Sequence, residues 1–328
     1  MQIPNRYLIG ALTSILLCCS TIVFGQPRRV AITIDDVPFE GNPAVTFESE
    51  AKTNEMLLRK IAAAKTPVTA FFTGHKLINN ELADPMLAKE REAILYHWVH
   101  NPLITLGNHS EHHLDNSKTS LDTFALEVMK VDNRMRPLAE SDKVRLKYFR
   151  FPYNALGKDS ADQAAKREYL TSKNYIIAPF TIESVDYAYN AVYVHELALG
   201  HTTTADSIEH CYLNYTMQCF KEAEAMAQEI YGRTIDHIFL FHDIPLNAHC
   251  YDKLISLLKA KKYSFISLDE ALKDSVYQQT NYYHGKYGIS WLYRWMKDPA
   301  KRREYQKRAS DPDMGIYKEY ERLQKEGK

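Results

Sequence analysis

Residues 103–115 read "LITLGNHSEHHLD". The first part is short and apolar, ends at Gly107, and reads as a buried strand rather than a helix. The second part holds three histidines, His109, His112 and His113, beside Asn108, Ser110 and Asp115. His, Asn, Ser and Asp all suit a solvated turn. Neutral imidazole is also the commonest side-chain metal ligand. The choice between these readings depends on what the rest of the chain brings to the same strand end.

Outward from this stretch, short apolar runs alternate with longer amphipathic ones. "RVAITID" (29–35), "PVTAFFTG" (67–74), "LKYFRFPYN" (146–154), "YIIAPFTIESVD" (175–186), "DHIFLFHD" (236–243) and "SFISL" (264–268) read as further strands. Helical patterns lie between them, among them "FESEAKTNEMLLRKIAAAK" (47–65), a long stretch over about 205–231, and "AHCYDKLISLLKAKKY" (248–263). Strands alternating with helices imply parallel pairing with crossover helices, the α/β class. About seven such units predict a closed or nearly closed (β/α) barrel rather than an open sheet. There is no internal repeat and no Gly/Ser linker.

The polar clusters fall where strands end: Asp35 and Asp36 after "RVAITI", the histidines after "LITLG", Arg150 and Tyr153 in "YFRFPY", Asp186 after "APFTI", and His242 after "IFLF". In parallel barrels the strand C-termini converge on one face, which carries the active site. Five clusters in that register predict one pocket.

The chain of 328 residues is long enough for one large α/β domain. Its first 25 residues carry one charge, Arg6, an apolar run from Tyr7 to Phe24, and the small Gly25. This is the outline of a secretory signal peptide, with cleavage near Gln26 and export to the periplasm or medium. The alternative is retention as a membrane anchor. Lys plus Arg and Asp plus Glu number 41 each, with no basic stripe, which argues against nucleic acid as a partner. Of the cysteines left after cleavage, Cys211, Cys219 and Cys250, the first two offer a bridge that the sequence does not demonstrate. The expected organisation is a leader over 1–25, a domain over 26–275, and an aromatic-rich, helical extension over 276–328. In that extension Trp291, Leu292 and Trp295 are expected to pack on the barrel. The charged end after residue 299 is expected to be helical and solvated.

Asp35 and Asp36 are expected to leave their strand on opposite sides, because side chains alternate along extended chain. That suits one to a cation and the other to work beside it. His109 and His113 are four apart, so a helical turn would set both on one face toward one ion. His112, three from His109, competes for the same role. One carboxylate with two imidazoles is a catalytic rather than a sealed structural set. Zinc suits it best, and cobalt or nickel also fit mixed N/O ligation.

The set "TIDD" (33–36), "HSEHH" (109–113), "RFPY" (150–153), "ESVDY" (183–187) and "LFH" (240–242) resembles the polysaccharide deacetylase family, the NodB-homology enzymes of carbohydrate esterase family 4. The resemblance runs over about residues 29–270 and implies a distorted (β/α) barrel. It also implies that Asp36, His109 and His113 hold one divalent metal and that Asp35 is the general base, paired with Arg150. Pro152 and Tyr153 would shape the acetate groove, with the Tyr153 N–H donating to the oxyanion. His242 would be the general acid, with Asp186 holding its proton. Ile34, Val37, Glu183 and Tyr187 depart from the family's Phe, Gly, Asp and Trp. These changes alter the groove wall, Tyr187 included, and remove no ligand or proton carrier.

The function expected is an exported, metal-dependent hydrolase that removes N- or O-acetyl groups from a carbohydrate. The same site on a small amide or ester is one alternative. A carbohydrate-binding relative that has lost catalysis is the other.

Overall fold

The computed structural model describes residues 27–39, 47–77, 85–141 and 146–326. The expected leader, residues 1–25, lies outside the described residues. The elements run β1 (Arg28–Val37), α1 (Phe47–Ala64), β2 (Val68–Phe72), α2 (Gly74–Leu77), α3 (Pro85–Val99), β3 (Ile104–Asn108), α4 (Leu121–Ser141) and β4 (Tyr148–Phe149). Then come α5 (Ser160–Ser172), β5 (Ile176–Ile177), α6 (Asp186–Ala198), α7 (Thr202–Tyr231), β6 (Asp236–His242), α8 (Pro245–Ala260) and β7 (Tyr263–Ile266). The C-terminal part adds α9 (Leu268–Ala271), α10 (Trp291–Arg294), α11 (Pro299–Arg308) and α12 (Met314–Glu326).

The seven strands of the described residues are all parallel, in the order β5-β4-β3-β2-β1-β6, with β7 on β1. β1 is the axis of the sheet. β6 lies along one edge of it from Arg29 to Asp35, while β7 and β2 share the other, over Arg28–Ala31 and Ile32–Val37. Val30, Ala31, Ile32 and Ile34 are all buried, as a strand covered on both faces requires. The chain after β5 makes a parallel bridge from Ile182 to Phe239 of β6, so the two ends of the strand path meet. The result is a distorted parallel barrel with helices around it.

Two expected strands are much shorter than their apolar runs. β4 is two residues long, because Arg150 and Pro152 turn the chain toward the pocket and a short 3-10 turn, Pro152–Asn154, follows. β5 is also two residues long, interrupted by Pro179 before the Ile182 bridge. The bridge between Cys211 and Cys219 does not form; both are free thiols, as is Cys250. They lie eight residues apart on α7, roughly 12 Å along a helix, well past the Cα separation of about 7 Å that a disulfide spans.

The C-terminal part is less solvated than its charge suggests. Leu292, Trp295, Met296, Tyr305 and Ile316 are buried, and α12 packs on α6. Among the described residues no helix is long and apolar enough to cross a membrane.

Candidate functional site

The ends of β1, β3, β4 and β6 bring the charged residues together. Asp35 and Asp36 are both buried, yet they do not diverge as alternation predicts. Backbone φ at Asp36 is +62°, and the pairing of β1 with β2 shifts register between Ile34 and Val37. This irregularity swings Asp36 back, so both carboxylates reach one imidazole. His109 Nε2 lies 3.7 Å from Asp35 Oδ2 and 4.0 Å from Asp36 Oδ1.

His113 Nε2 lies 3.6 Å from Asp36 Oδ1. The helical turn expected to bring it there is absent. Residues 109–113 form a loop in which Ser110 and His113 take positive φ, 69° and 53°. The loop is tied to the end of β2 by the amides of Gly74 and His75, which donate to the carbonyls of Ser110 and Glu111 at 3.0 and 2.9 Å. His112 points elsewhere: its amide and its Nδ1 both meet Glu127, at 2.6 and 2.8 Å, and its ring stacks on His75.

Asp36, His109 and His113 offer ligand atoms within 4.8 Å of one another. Their chemistry fits a divalent ion. His109 Nδ1 lies 2.8 Å from the Arg150 carbonyl, which can only accept, so the proton sits on Nδ1 and the Nε2 lone pair faces the carboxylates. Burial pushes both imidazoles down to about 4, so each is neutral and free to ligate near pH 7. Burial alone would raise Asp36, but the Lys76 ammonium, with the two imidazoles, holds it well below the usual carboxylate range. Thr73 Oγ1 donates to Asp36 Oδ1 at 2.9 Å, and Lys76 Nζ lies 3.6 Å from the same oxygen. Neither Thr73 nor Lys76 carries a sequence signal that marks it.

Asp35 is built differently. Its Oδ2 lies 3.5 Å from Arg150 Nη1, while its Oδ1 is buried without a hydrogen-bond partner among the described residues. Burial raises its carboxyl against the pull of Arg150. Arg150 is itself fully buried, donates to Thr33 Oγ1 at 3.1 Å and to the Pro179 carbonyl at 3.3 Å, and stacks on Phe71 at 4.7 Å. Gly107 lets that ring in: a Cβ there would sit 2.4 Å from Phe71.

Across the β1–β6 ladder, Asp35 and His242 are register partners. His242 Nδ1 lies 2.7 Å from Asp186 Oδ1, and its amide donates to Asp186 Oδ2 at 2.7 Å. Asn247 Nδ2 adds a third contact to Asp186 at 2.6 Å and is itself held by Tyr212. Burial opposes the charge on Asp186, but His242 and these donors keep its carboxyl below the usual range. An ionised Asp186 places an imidazole proton on Nδ1. Beside it Asp243 is buried with neither carboxyl oxygen partnered among the described residues, and burial raises it well above an ordinary carboxyl.

Tyr153 stands over His113, ring centroids 4.5 Å apart, and is mostly exposed. Pro152 is buried below it. Tyr187 flanks His242 at 6.4 Å and meets Tyr320 of α12 at 5.6 Å. All ten residues singled out in the sequence thus border one region. The arrangement can hold a cation, take a proton at Asp35 and deliver one from His242.

The family model described as Polysaccharide deacetylase matches residues 25–171, which span the Asp-Asp, histidine and Arg-x-Pro-Tyr segments. Among curated proteins, none matches the chain. Similar solved structures include a chitin deacetylase from the fungal pathogen Colletotrichum lindemuthianum, 20% identical, covering 76% of this chain and 89% of that one, TM-score 0.49. A peptidoglycan deacetylase from Bacillus subtilis is 16% identical, covering 76% of this chain and 93% of its own, TM-score 0.45. A CE4 family pseudoenzyme from Bacillus anthracis is 14% identical, covering 76% of this chain and 66% of its own, TM-score 0.49.

Proposed function

We propose that the chain, whose residues 25–171 match the polysaccharide deacetylase model, is a member of that family and an exported, metal-dependent hydrolase of acetyl groups on a carbohydrate. The observation that carries catalysis, rather than binding alone, is the pairing of two carboxylates with separate tasks. Asp36 stands with His109 and His113 in a group that could hold an ion, while Asp35 beside it keeps one buried oxygen unpartnered among the described residues.

Asp36, His109 and His113 would hold the ion, zinc by preference. Bound there, it would polarise the acetyl carbonyl and acidify water. Asp35, oriented by Arg150, removes a proton from the attacking water. The Tyr153 N–H donates to the oxyanion as the tetrahedral centre forms. His242, held by Asp186, protonates the leaving nitrogen or oxygen as the bond to the acetyl carbon breaks. Acetate and a free amine or hydroxyl result. Pro152, Tyr153 and Tyr187 line the groove that receives the sugar. The apolar leader supports export, and cleavage near Gln26 would be read by N-terminal sequencing of protein from outside the cytoplasm.

The test is acetate release by purified protein loaded with zinc or cobalt, offered chitin oligomers, peptidoglycan fragments and acetylated xylan. Release from at least one is expected. A metal-loaded, folded sample inert toward all three and toward aryl acetates would remove the reading.

A further inference from the structure

Tyr153 and Asn154 are consecutive non-glycine residues with φ of +53° and +49°, and Gly288, Ile289 and Arg294 hold their backbone and the Asn154 side chain from outside the turn. Left-handed backbone is unfavourable for side-chain-bearing residues and persists where the surroundings impose it. The fully buried guanidinium of Arg294 donates from Nη2 to the Asn154 carbonyl at 2.6 Å. The Asn154 side chain donates in return to the Ile289 carbonyl at 2.6 Å. Gly288 presses on the turn so closely that a Cβ there would lie 1.8 Å from the Tyr153 carbonyl oxygen. The segment is fastened to the barrel as well: Ser290 Oγ donates to the Thr181 carbonyl at 2.8 Å, and the Trp291 amide donates to the Phe180 carbonyl at 3.0 Å. Arg294 also donates to the carbonyls of Ile289 and Tyr283, at 3.2 and 3.4 Å, so its fork draws the segment together.

We infer that Gly288 and Arg294 are positioning residues: the C-terminal segment clamps the Pro152–Asn154 turn and thereby sets where Tyr153 presents its N–H and ring beside His113. The catalytic part of this inference rests on the proposed acetyl hydrolysis; the clamp itself does not. The segment lies outside residues 25–171, so the site is completed by chain beyond the family match. An oxyanion donor acts only at its correct position, where removal of one typically costs about 100–1,000-fold in kcat. A clamp that fixes such a donor acts on kcat and leaves the ion alone, while the Tyr153 ring carries any effect on KM for the chitin oligomer.

The experiment compares the metal-loaded full chain with Gly288→Ala and Arg294→Lys. Four quantities are read: kcat and KM on an aryl acetate and on a chitin oligomer, metal content, and amide exchange over residues 151–155. The clamp requires faster exchange over 151–155 in both variants, with metal content unchanged. It also requires kcat to drop by about 10-fold or more, equally for ester and amide, since both pass through the oxyanion. Adding Asn154→Gly to Arg294→Lys should restore part of kcat, because glycine takes left-handed backbone without help. Unchanged exchange and kcat in folded, metal-loaded variants would overturn the clamp, as would activity lost only in step with metal. If the wild-type chain releases no acetate, the hydrolase reading fails, while amide exchange still decides the clamp.

Discussion

His112 Nδ1 lies 2.8 Å from Glu127 Oε1, which turns its ring away from the carboxylate that His109 and His113 face. The two neighbours, His112 and His113, therefore respond differently to removal. His113→Ala should weaken zinc or cobalt binding by more than the ~10–100-fold that outer-sphere changes cost. His112→Ala should leave affinity within a few-fold of the wild type. Metal titration of both variants decides it, and stronger metal loss from His112→Ala would reverse the assignment. Chelation of the wild type should abolish acetate release, and added zinc or cobalt should restore it.

Acid should act on the metal-free protein through the same imidazoles. Burial holds His109 and His113 at about 4, against an ordinary value of 6.5. Between those two values the unfolded chain binds more protons at these sites than the folded one, so their contribution to stability falls as pH falls through the window. Between pH 7 and 4.5, where the raised carboxyls of Glu183 and Asp243 act with the opposite sign, the urea midpoint of metal-free His113→Asn should fall less, or rise more, than that of the wild type. An unchanged slope in that variant would mean that His113 is not held neutral in the fold.

Asp35 and Asp36 are adjacent in the chain and are expected to fail in different ways. Asp35→Asn keeps the ligand set and removes the base, so metal content should hold while kcat falls by about 100-fold or more. Asp36→Asn should lose metal first, with activity following it and returning in part at high zinc. Metal analysis beside kcat separates the two. Loss of metal from Asp35→Asn would place that carboxylate among the ligands.

Much of this site was legible because strand ends are. The apolar runs of β1, β3 and β6 end at Asp35, His109 and His242, and parallel pairing brings those ends to one face. Local backbone was not legible. The spacing of His109 and His113 suggests a helical turn, yet the loop reaches the same convergence through positive φ at Ser110 and His113. Alternation along β1 predicts divergent aspartates, and a register shift before Val37 cancels it. Lys76 and Arg294 reach their partners through tertiary packing alone, and no spacing in the chain encodes a contact between Arg294 and Asn154, 140 residues apart.

The last expectation concerns the proton that leaves rather than the one that arrives. His242 touches Asp186 and is not among the three residues grouped as candidate ligands, so His242→Ala should leave metal in place. Its effect then depends on the leaving group. An amine cannot depart from the tetrahedral centre without a proton, whereas a nitrophenolate can. The chitin oligomer should therefore lose turnover on the ~100–10,000-fold scale of general acid catalysis, while a nitrophenyl acetate should lose far less. Asp186→Asn should show the same split in weaker form, because an amide no longer fixes the proton on Nδ1. Turnover of both substrates, with metal content measured alongside, tests the assignment. Equal losses on the two substrates at constant metal would show that His242 is not the acid.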